Sequence, residues 1–496
     1  MILEVVFVLS LILGGSALIQ VAGARGLGVP ILGAVTGLAL YLCVTAFQVL
    51  TPITSSPLLT LILTVALPVA LWGWRRAQGA DLPLRPLWAG IIVAGVIGAV
   101  AFFRAMPQVA WSNDSLNYLL NGSLIASNNI TIASTALLPK RLIGVPGLHA
   151  VANLGGELYV QSITPLISAL VLAVLGWMVW QSLSTRLSKR ALLLLIGAGL
   201  LFLVSMNRFV FHAFYLNGHL LFALFMLVVV GGGWMLVSCD SVSKTALITA
   251  MSLAVGALIF IRAESSILVI LMLLPIIFDG SVSRLHKSVL LAVLGVATIG
   301  WQSFMAAIYL AQQQSVGFEI WGILGLGVAV LAVIPLLRWN ALMTRGRLFL
   351  LLAEGMLWLT LLVLVVRNPQ ILRDSLTATF ANVVQGAGSW GLSLVFIAAL
   401  LVLASFIAVP HSVHLRFPLT SFIPLGFLLA YLRDAAYRVG DGDSLNRMWI
   451  QLIPVALFYV LIALGVGKWR RRSTAAVSST AAVPVAAAVP GDSPSI

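Results

Sequence analysis

Residues 216–237 read LNGHLLFALFMLVVVGGGWMLV. From Leu220 to Val237 no side chain is charged and no face is polar. A helix that is apolar all round has to be enclosed by protein or by lipid. A run of this length predicts a membrane-spanning helix, because about 20 apolar residues cross the hydrocarbon core. It does not alternate as the strands of an outer-membrane barrel do.

Runs of the same kind recur on both sides of it. They fall at 2–22, 27–48, 57–76, 86–105, 160–182, 190–207, 245–262, 264–279, 287–310, 319–337, 347–366, 389–409, 417–432 and 448–468. The expectation is therefore an all-α polytopic membrane protein with about fifteen transmembrane helices. The stretch 245–279 also reads as one kinked or re-entrant pair. The N-terminus lacks a basic segment and reads as the first span, not as a cleaved signal.

Composition agrees. Of 496 residues 61% are hydrophobic and 8% charged, and the mean hydropathy is +1.11. Soluble domains carry about a quarter charged residues, so a soluble enzyme, a disordered chain and a nucleic-acid binder are excluded. The net charge of +14 is read as basic residues retained on the cytoplasmic side, with no nucleic-acid partner. The two cysteines, Cys43 and Cys239, lie far apart without ligand spacing, so neither a disulfide framework nor a zinc site is expected.

Basic clusters orient the chain. With the N-terminus outside and the C-terminus cytoplasmic, the groups Arg75/Arg76/Arg85, Arg186/Lys189/Arg190, Arg338/Arg345/Arg347 and Lys468/Arg470/Arg471/Arg472 all fall inside. Most acids, which were not used for the assignment, then fall outside, among them Asp114, Glu157, Glu264, Asp441 and Asp443. Glu354 lies within a span. Polar chemistry is thus expected on the outer face of a plasma membrane, in a multi-pass protein of a bacterium. The chain divides into an N-terminal four-helix transmembrane segment, 1–105, and a large extracytoplasmic loop with surface helices, 106–159. A C-terminal transmembrane bundle, 160–472, and a disordered cytoplasmic tail, 473–496, follow. The tail is rich in Ala, Val, Pro and Ser.

Five polar constellations stand out. In the large loop Asp114 precedes an amphipathic pattern, with Leu116, Leu119, Leu120 and Leu124 at helical spacing. Asp114 is suited to act as a general base on a hydroxyl or to hold a divalent cation; as a preferred N-cap residue it also suits a purely local role. Lys140 and Arg141 precede the turn Pro146-Gly147-Leu148-His149, and suit a lipid phosphate or ordinary headgroup anchoring. His149 is either a substrate contact or a packed helix-interface residue. The segment Asn207–His219 mixes Arg208, His212 and Asn217 with aromatics, as an aromatic belt or a sugar-binding platform would. Arg262-Ala263-Glu264 interrupts two apolar runs, where ionisable groups are costly; if the segment stays helical, residues two apart do not pair. Arg447 stands before the final span and suits either bidentate phosphate binding or a snorkelling role at the edge of a solvated loop.

In this order the motifs resemble the GT-C class of integral-membrane glycosyltransferases. The resemblance rests on Asp114-Ser115-Leu116-Asn117-Tyr118 in the large loop, on Pro146-Gly147-Leu148-His149, and on Arg262-Ala263-Glu264, with weaker echoes near Arg447. It covers roughly residues 110–280. It implies a polyprenyl-phosphate sugar donor and transfer to a glycan, lipid or protein acceptor of the cell envelope. Asp114 is then the catalytic residue. Tyr118, Lys140, Arg141, His149, Arg208, His212, Asn217, Arg262, Glu264 and Arg447 are the substrate-binding candidates. The chain departs from the pattern in two ways. Four spans precede the large loop, and Asp114 lacks a neighbouring acid because residue 113 is Asn. The second departure leaves the use of a divalent cation open. Two other readings compete: a lipid-linked glycan polymerase or ligase, and a secondary transporter or flippase.

Overall fold

The computed structural model describes residues 2–51, 53–85, 113–136, 138–139, 142–339 and 345–469. The expected span 86–105, the cations Lys140 and Arg141, and the tail 473–496 lie outside these residues.

The described chain contains eighteen α-helices. They are α1 (Ile2–Val21), α2 (Gly28–Leu50), α3 (Pro57–Ala77), α4 (Asn113–Ala126), α5 (Gly144–Ala150) and α6 (Ile163–Leu183). Next come α7 (Lys189–Ser205), α8 (Asn207–Phe214), α9 (His219–Ser238), α10 (Lys244–Ile259), α11 (Ser265–Ile277) and α12 (Arg284–Ala311). The last six are α13 (Phe318–Leu336), α14 (Gly346–Arg367), α15 (Pro369–Val383), α16 (Ser393–Ser405), α17 (Val413–Leu432) and α18 (Ser444–Val466). Strands β1 (Ile407–Ala408) and β2 (Lys468–Trp469) pair antiparallel and tie the end of α18 to the approach to α17.

The protein is a multi-pass membrane protein: ten of these helices are long and apolar enough to cross a bilayer, or eleven if the bent pair α7–α8 is one span. Of the fifteen expected runs, 86–105 lies outside the described residues, and four others do not reach that length as single helices, for specific reasons. The apolar runs 245–262 and 264–279 form α10 and α11, of 16 and 13 residues. At 1.5 Å per residue these reach about 24 and 20 Å, short of the roughly 30 Å hydrocarbon core. The run 389–409 forms only the 13-residue α16. The run 190–207 ends at a 71° bend into α8.

The quoted stretch, α9, lies at the centre and is buried along nearly its whole length. Its three consecutive glycines fit three different neighbours. A Cβ at Gly231 would lie 2.7 Å from Met178 Sδ of α6, one at Gly232 3.0 Å from Met251 Sδ of α10, and one at Gly233 2.6 Å from Ile276 Cδ1 of α11. Successive helical positions point about 100° apart, so this one turn seats three helices. In contrast, α13 and α14 keep most of their apolar surface exposed, as helices facing lipid do.

At the N-terminal end, α1 and α2 cross at Gly33-x-x-x-Gly37, the small-residue spacing that lets helix backbones meet. A Cβ at Gly37 would fall 1.7 Å from Leu11 O, and one at Gly33 would fall 2.6 Å from Ser16 Cα. The obstacle is backbone, which cannot rotate aside. Gly37→Ala is expected to push α1 and α2 apart and cost about 1–3 kcal/mol. A detergent-solubilised melting curve equal to wild type would contradict the crossing.

Candidate functional site

Four segments meet at one end of the bundle: the start of α4, the corner between α8 and α9, the break between α10 and α11, and the start of α18. Apolar helices cannot satisfy polar side chains within lipid, so these converge where helices end.

Asp114 lies in the first turn of α4, not at the N-cap, because the helix already includes Asn113. Its Oδ2 accepts a 2.8 Å bond from Arg447 Nη1 of α18. The leucine stripe is only half used: Leu119 is buried, but Leu116 and Leu120 are 42% and 56% exposed. The face of α4 turned inward carries Ser115, Tyr118, Asn121 and Ile125, all buried. Ser115 Oγ donates to Leu216 O in the α8–α9 corner. A lipid-facing leucine gains nothing from burial in protein, which is why hydrophobicity alone points to the wrong face of α4.

Arg262 and Glu264 do pair, with Arg262 Nε 2.5 Å from Glu264 Oε1. The helical expectation fails because α10 ends at Ile259 and α11 begins at Ser265, so the residues between them turn. The turn is locked from the side by Gly144 N–H, which donates to Phe260 O at 2.7 Å. Burial opposes both charges, yet each partner outweighs it: Arg262 holds the Glu264 carboxyl below its ordinary value, and Glu264 holds the guanidinium above its own. Asp114 and Tyr118 add to the field at Arg262, and Arg433 to that at Glu264.

His219, at the start of α9, joins this pair to α18. Arg262 Nη1 lies 3.1 Å from His219 Nε2, and the Gln451 amide lies 3.1 Å from Nδ1. A neutral imidazole has one donor and one acceptor. Gln451 Nε2 faces Nδ1 of the ring, while Gln451 Oε1 is buried without a hydrogen-bond partner among the described residues. Arg447 and Gln451, four residues apart, share one face of α18.

Next to it, Asn217 lies 2.8 Å from His212 Nδ1, and its Oδ1 accepts from His219 N–H. Arg208 is committed to structure: its Nε donates to Gly388 O at 2.7 Å and its Nη2 to Asp441 Oδ1 at 2.9 Å. Asp443 caps α18 through Asn446 N–H. Three buried donors in this region have no hydrogen-bond partner among the described residues: Arg447 Nε, His212 Nε2 and the Ser265 hydroxyl.

The structure thus brings together Asp114, Tyr118, His212, Asn217, Arg262, Glu264 and Arg447. It adds His219 and Gln451, which the motifs do not nominate. His219 follows a Gly at the mouth of an apolar helix, and Gln451 lies one turn beyond Arg447, a lone amide in an apolar run; these are the signals the sequence carries for them. Among the described residues no group of three or more His, Cys, Asp or Glu side chains converges as a metal site.

His149 is a packed residue. Its ring is buried and its Nδ1 accepts the Val160 N–H at 3.1 Å. Burial lowers its pKa to about 3, against an ordinary value near 6.5. The unfolded chain then binds this proton first, so stability falls as pH drops below about 6.5 and levels off near 3. His149→Gln is expected to remove this part of the pH dependence in melting experiments. An unchanged slope would contradict a neutral, accepting His149.

Neither a protein-family model, nor a curated protein, nor a solved structure matches this chain.

Proposed function

We propose that this protein is a membrane glycosyltransferase. It moves a sugar from a polyprenyl-phosphate donor to a cell-envelope glycan, lipid or protein acceptor at the outer face of the plasma membrane. One observation carries the reading: a carboxylate, Asp114, and a guanidinium with a spare buried donor, Arg447, face each other at a helix-end cluster that also holds Arg262 and His219.

The chemistry needs both. The acceptor oxygen attacks the anomeric carbon, the bond from that carbon to the phosphate oxygen breaks, and the polyprenyl phosphate leaves. Asp114 takes the acceptor's proton. Arg447 Nε, with Arg262 behind it, stabilises the charge growing on the leaving phosphate. A single displacement inverts the sugar and requires one base. His212 Nε2, the donor left without a partner, is the group we assign to a sugar hydroxyl, with Asn217 holding its ring.

An apolar groove of about 590 Å³ supports the lipid part of the reading. It lies between α15, α16, α17 and α18, walled by Phe380, Leu394, Ile397, Trp449 and Ile453. Arg447 lies on the same helix as Trp449, Leu452, Ile453 and Ala456 but on the opposite face, so the groove would hold a prenyl chain and not its phosphate.

The test supplies purified protein with radiolabelled polyprenyl-phosphate sugars and a membrane-glycan extract, alongside a folded Asp114→Asn variant. Transfer by wild type alone supports the reading. Transfer of a preformed glycan chain replaces it with a ligase, and movement of a donor across vesicles without transfer replaces it with a flippase.

A further inference from the structure

A second polar site lies at the opposite end of the bundle. Glu264 precedes α11, and Phe278 follows it; the 13 residues of α11 separate the two ends by about 20 Å. At the Phe278 end begin both α14 and α17. A Cβ at Gly346 of α14 would lie 2.6 Å from Phe278 O, and His414 of α17 bonds Asp279 at 2.8 Å. At their other ends Tyr431 donates to Asn368 O. The two helices therefore run in the same direction, and depth can be compared along them.

Between them lies a half-open cavity of about 540 Å³, with Arg347, Glu354, Arg416 and Thr420 on its wall and apolar Leu350 and Phe417 between. Arg347 is the second residue of α14 and Arg416 the fourth of α17, so both stand at the mouth. Glu354 is seven residues beyond Arg347, about 10 Å deeper, at the level of Thr420. Among the described residues the side chains of Arg347, Glu354 and Arg416 make no hydrogen bond or ion pair with one another or with anything else. Asp279, the nearest other acid, is taken by His414 and Ser281. An unpaired carboxylate two turns inside a spanning helix is costly and marks a binding group.

We propose that this cavity binds a water-borne aminoalkyl phosphate, with its phosphate on Arg347 and Arg416 at the mouth and its ammonium on Glu354 and Thr420 below. Charge balance selects this class. Two guanidiniums and one carboxylate leave the wall at one net positive charge, and a phosphomonoester of about −2 carrying one ammonium neutralises it. Paired guanidiniums also match phosphate geometry. An amino acid would leave one positive charge uncompensated near hydrocarbon. An aminophospholipid would enter in the wrong order. With its chains toward the bilayer centre its amine would lie outermost, beside the arginines.

The test is calorimetric titration of the purified full-length protein in detergent with phosphoethanolamine, inorganic phosphate, ethanolamine and dihexanoyl phosphatidylethanolamine. Phosphoethanolamine is expected to bind at least about tenfold more tightly than the other three, the scale of one charged contact. Glu354→Gln is expected to reduce it to the level of phosphate. Arg347→Gln, at an exposed position that tolerates exchange, is expected to weaken phosphoethanolamine and phosphate alike by about tenfold with an unchanged ligand-free melting temperature. The proposal is overturned if phosphate binds wild type as tightly as phosphoethanolamine does. It is also overturned if Arg347→Gln binds as wild type does. Equal or tighter binding of the short-chain lipid overturns the water-borne source. Because the cavity lies away from Asp114 and Arg447, none of these outcomes depends on sugar transfer.

Discussion

If the protein is the glycosyltransferase proposed above, sugar transfer is expected to fall by about a thousandfold when Asp114 is replaced by Asn, the middle of the range for losing a general base. Asn keeps the shape and still presents an oxygen to Arg447 Nη1, so the ion pair becomes an ordinary hydrogen bond and the fold persists. What disappears is the proton acceptor. Donor binding, followed through the prenyl-phosphate, should change far less than turnover, because Arg447 and Arg262 remain. Arg447→Lys should give the opposite pattern. A lysine supplies charge without the planar fork that reaches both Asp114 and a phosphate, so donor binding weakens together with turnover. If Asp114→Asn retains a third or more of wild-type transfer, Asp114 serves only to hold Arg447, and the base lies elsewhere.

The second large effect is on stability. Arg262→Met leaves Glu264 with 8% of its surface exposed and without its counter-charge. Breaking a buried pair from one side costs about 3–5 kcal/mol. The double variant Arg262→Met, Glu264→Leu should recover most of that loss, since two apolar side chains need no partner there. Thermal unfolding in detergent distinguishes the cases, and equal melting of the single and double variants would contradict the pairing. The pair also has a pH signature. The folded Glu264 carboxyl titrates below its ordinary value of 4.5, so its contribution is complete above that pH and is lost as pH falls beneath it. Wild type should therefore lose stability in acid more steeply than the double variant.

These results concern residues whose types were visible in the chain but whose neighbours were not. Asp114 and Arg447 are 333 positions apart. Nothing local links them; the contact exists because α4 and α18 end at the same level of the bundle. Gln451 looks like an isolated amide in an apolar helix until His219 is placed against it. Arg262 and Glu264 show the reverse. Their spacing argues against a pair on a helix, and the pair forms because the helix stops there.

What the sequence determines by itself is the solvent of the fold. Runs such as 220–237 have no polar face, and only lipid or a protein interior accepts such a helix, so a multi-pass α-helical protein follows from composition and period alone. How many runs cross is a tertiary matter. Lengths near the threshold, as in α10, α11 and α16, are resolved by where the backbone breaks, and hydropathy is nearly blind to breaks inside apolar sequence. Which face of α4 turns inward is also tertiary, because in lipid the leucines need no burial while Ser115, Tyr118 and Asn121 do. The polar cluster follows the same rule: side chains that hydrocarbon rejects gather where helix ends meet, and only packing decides which ends those are.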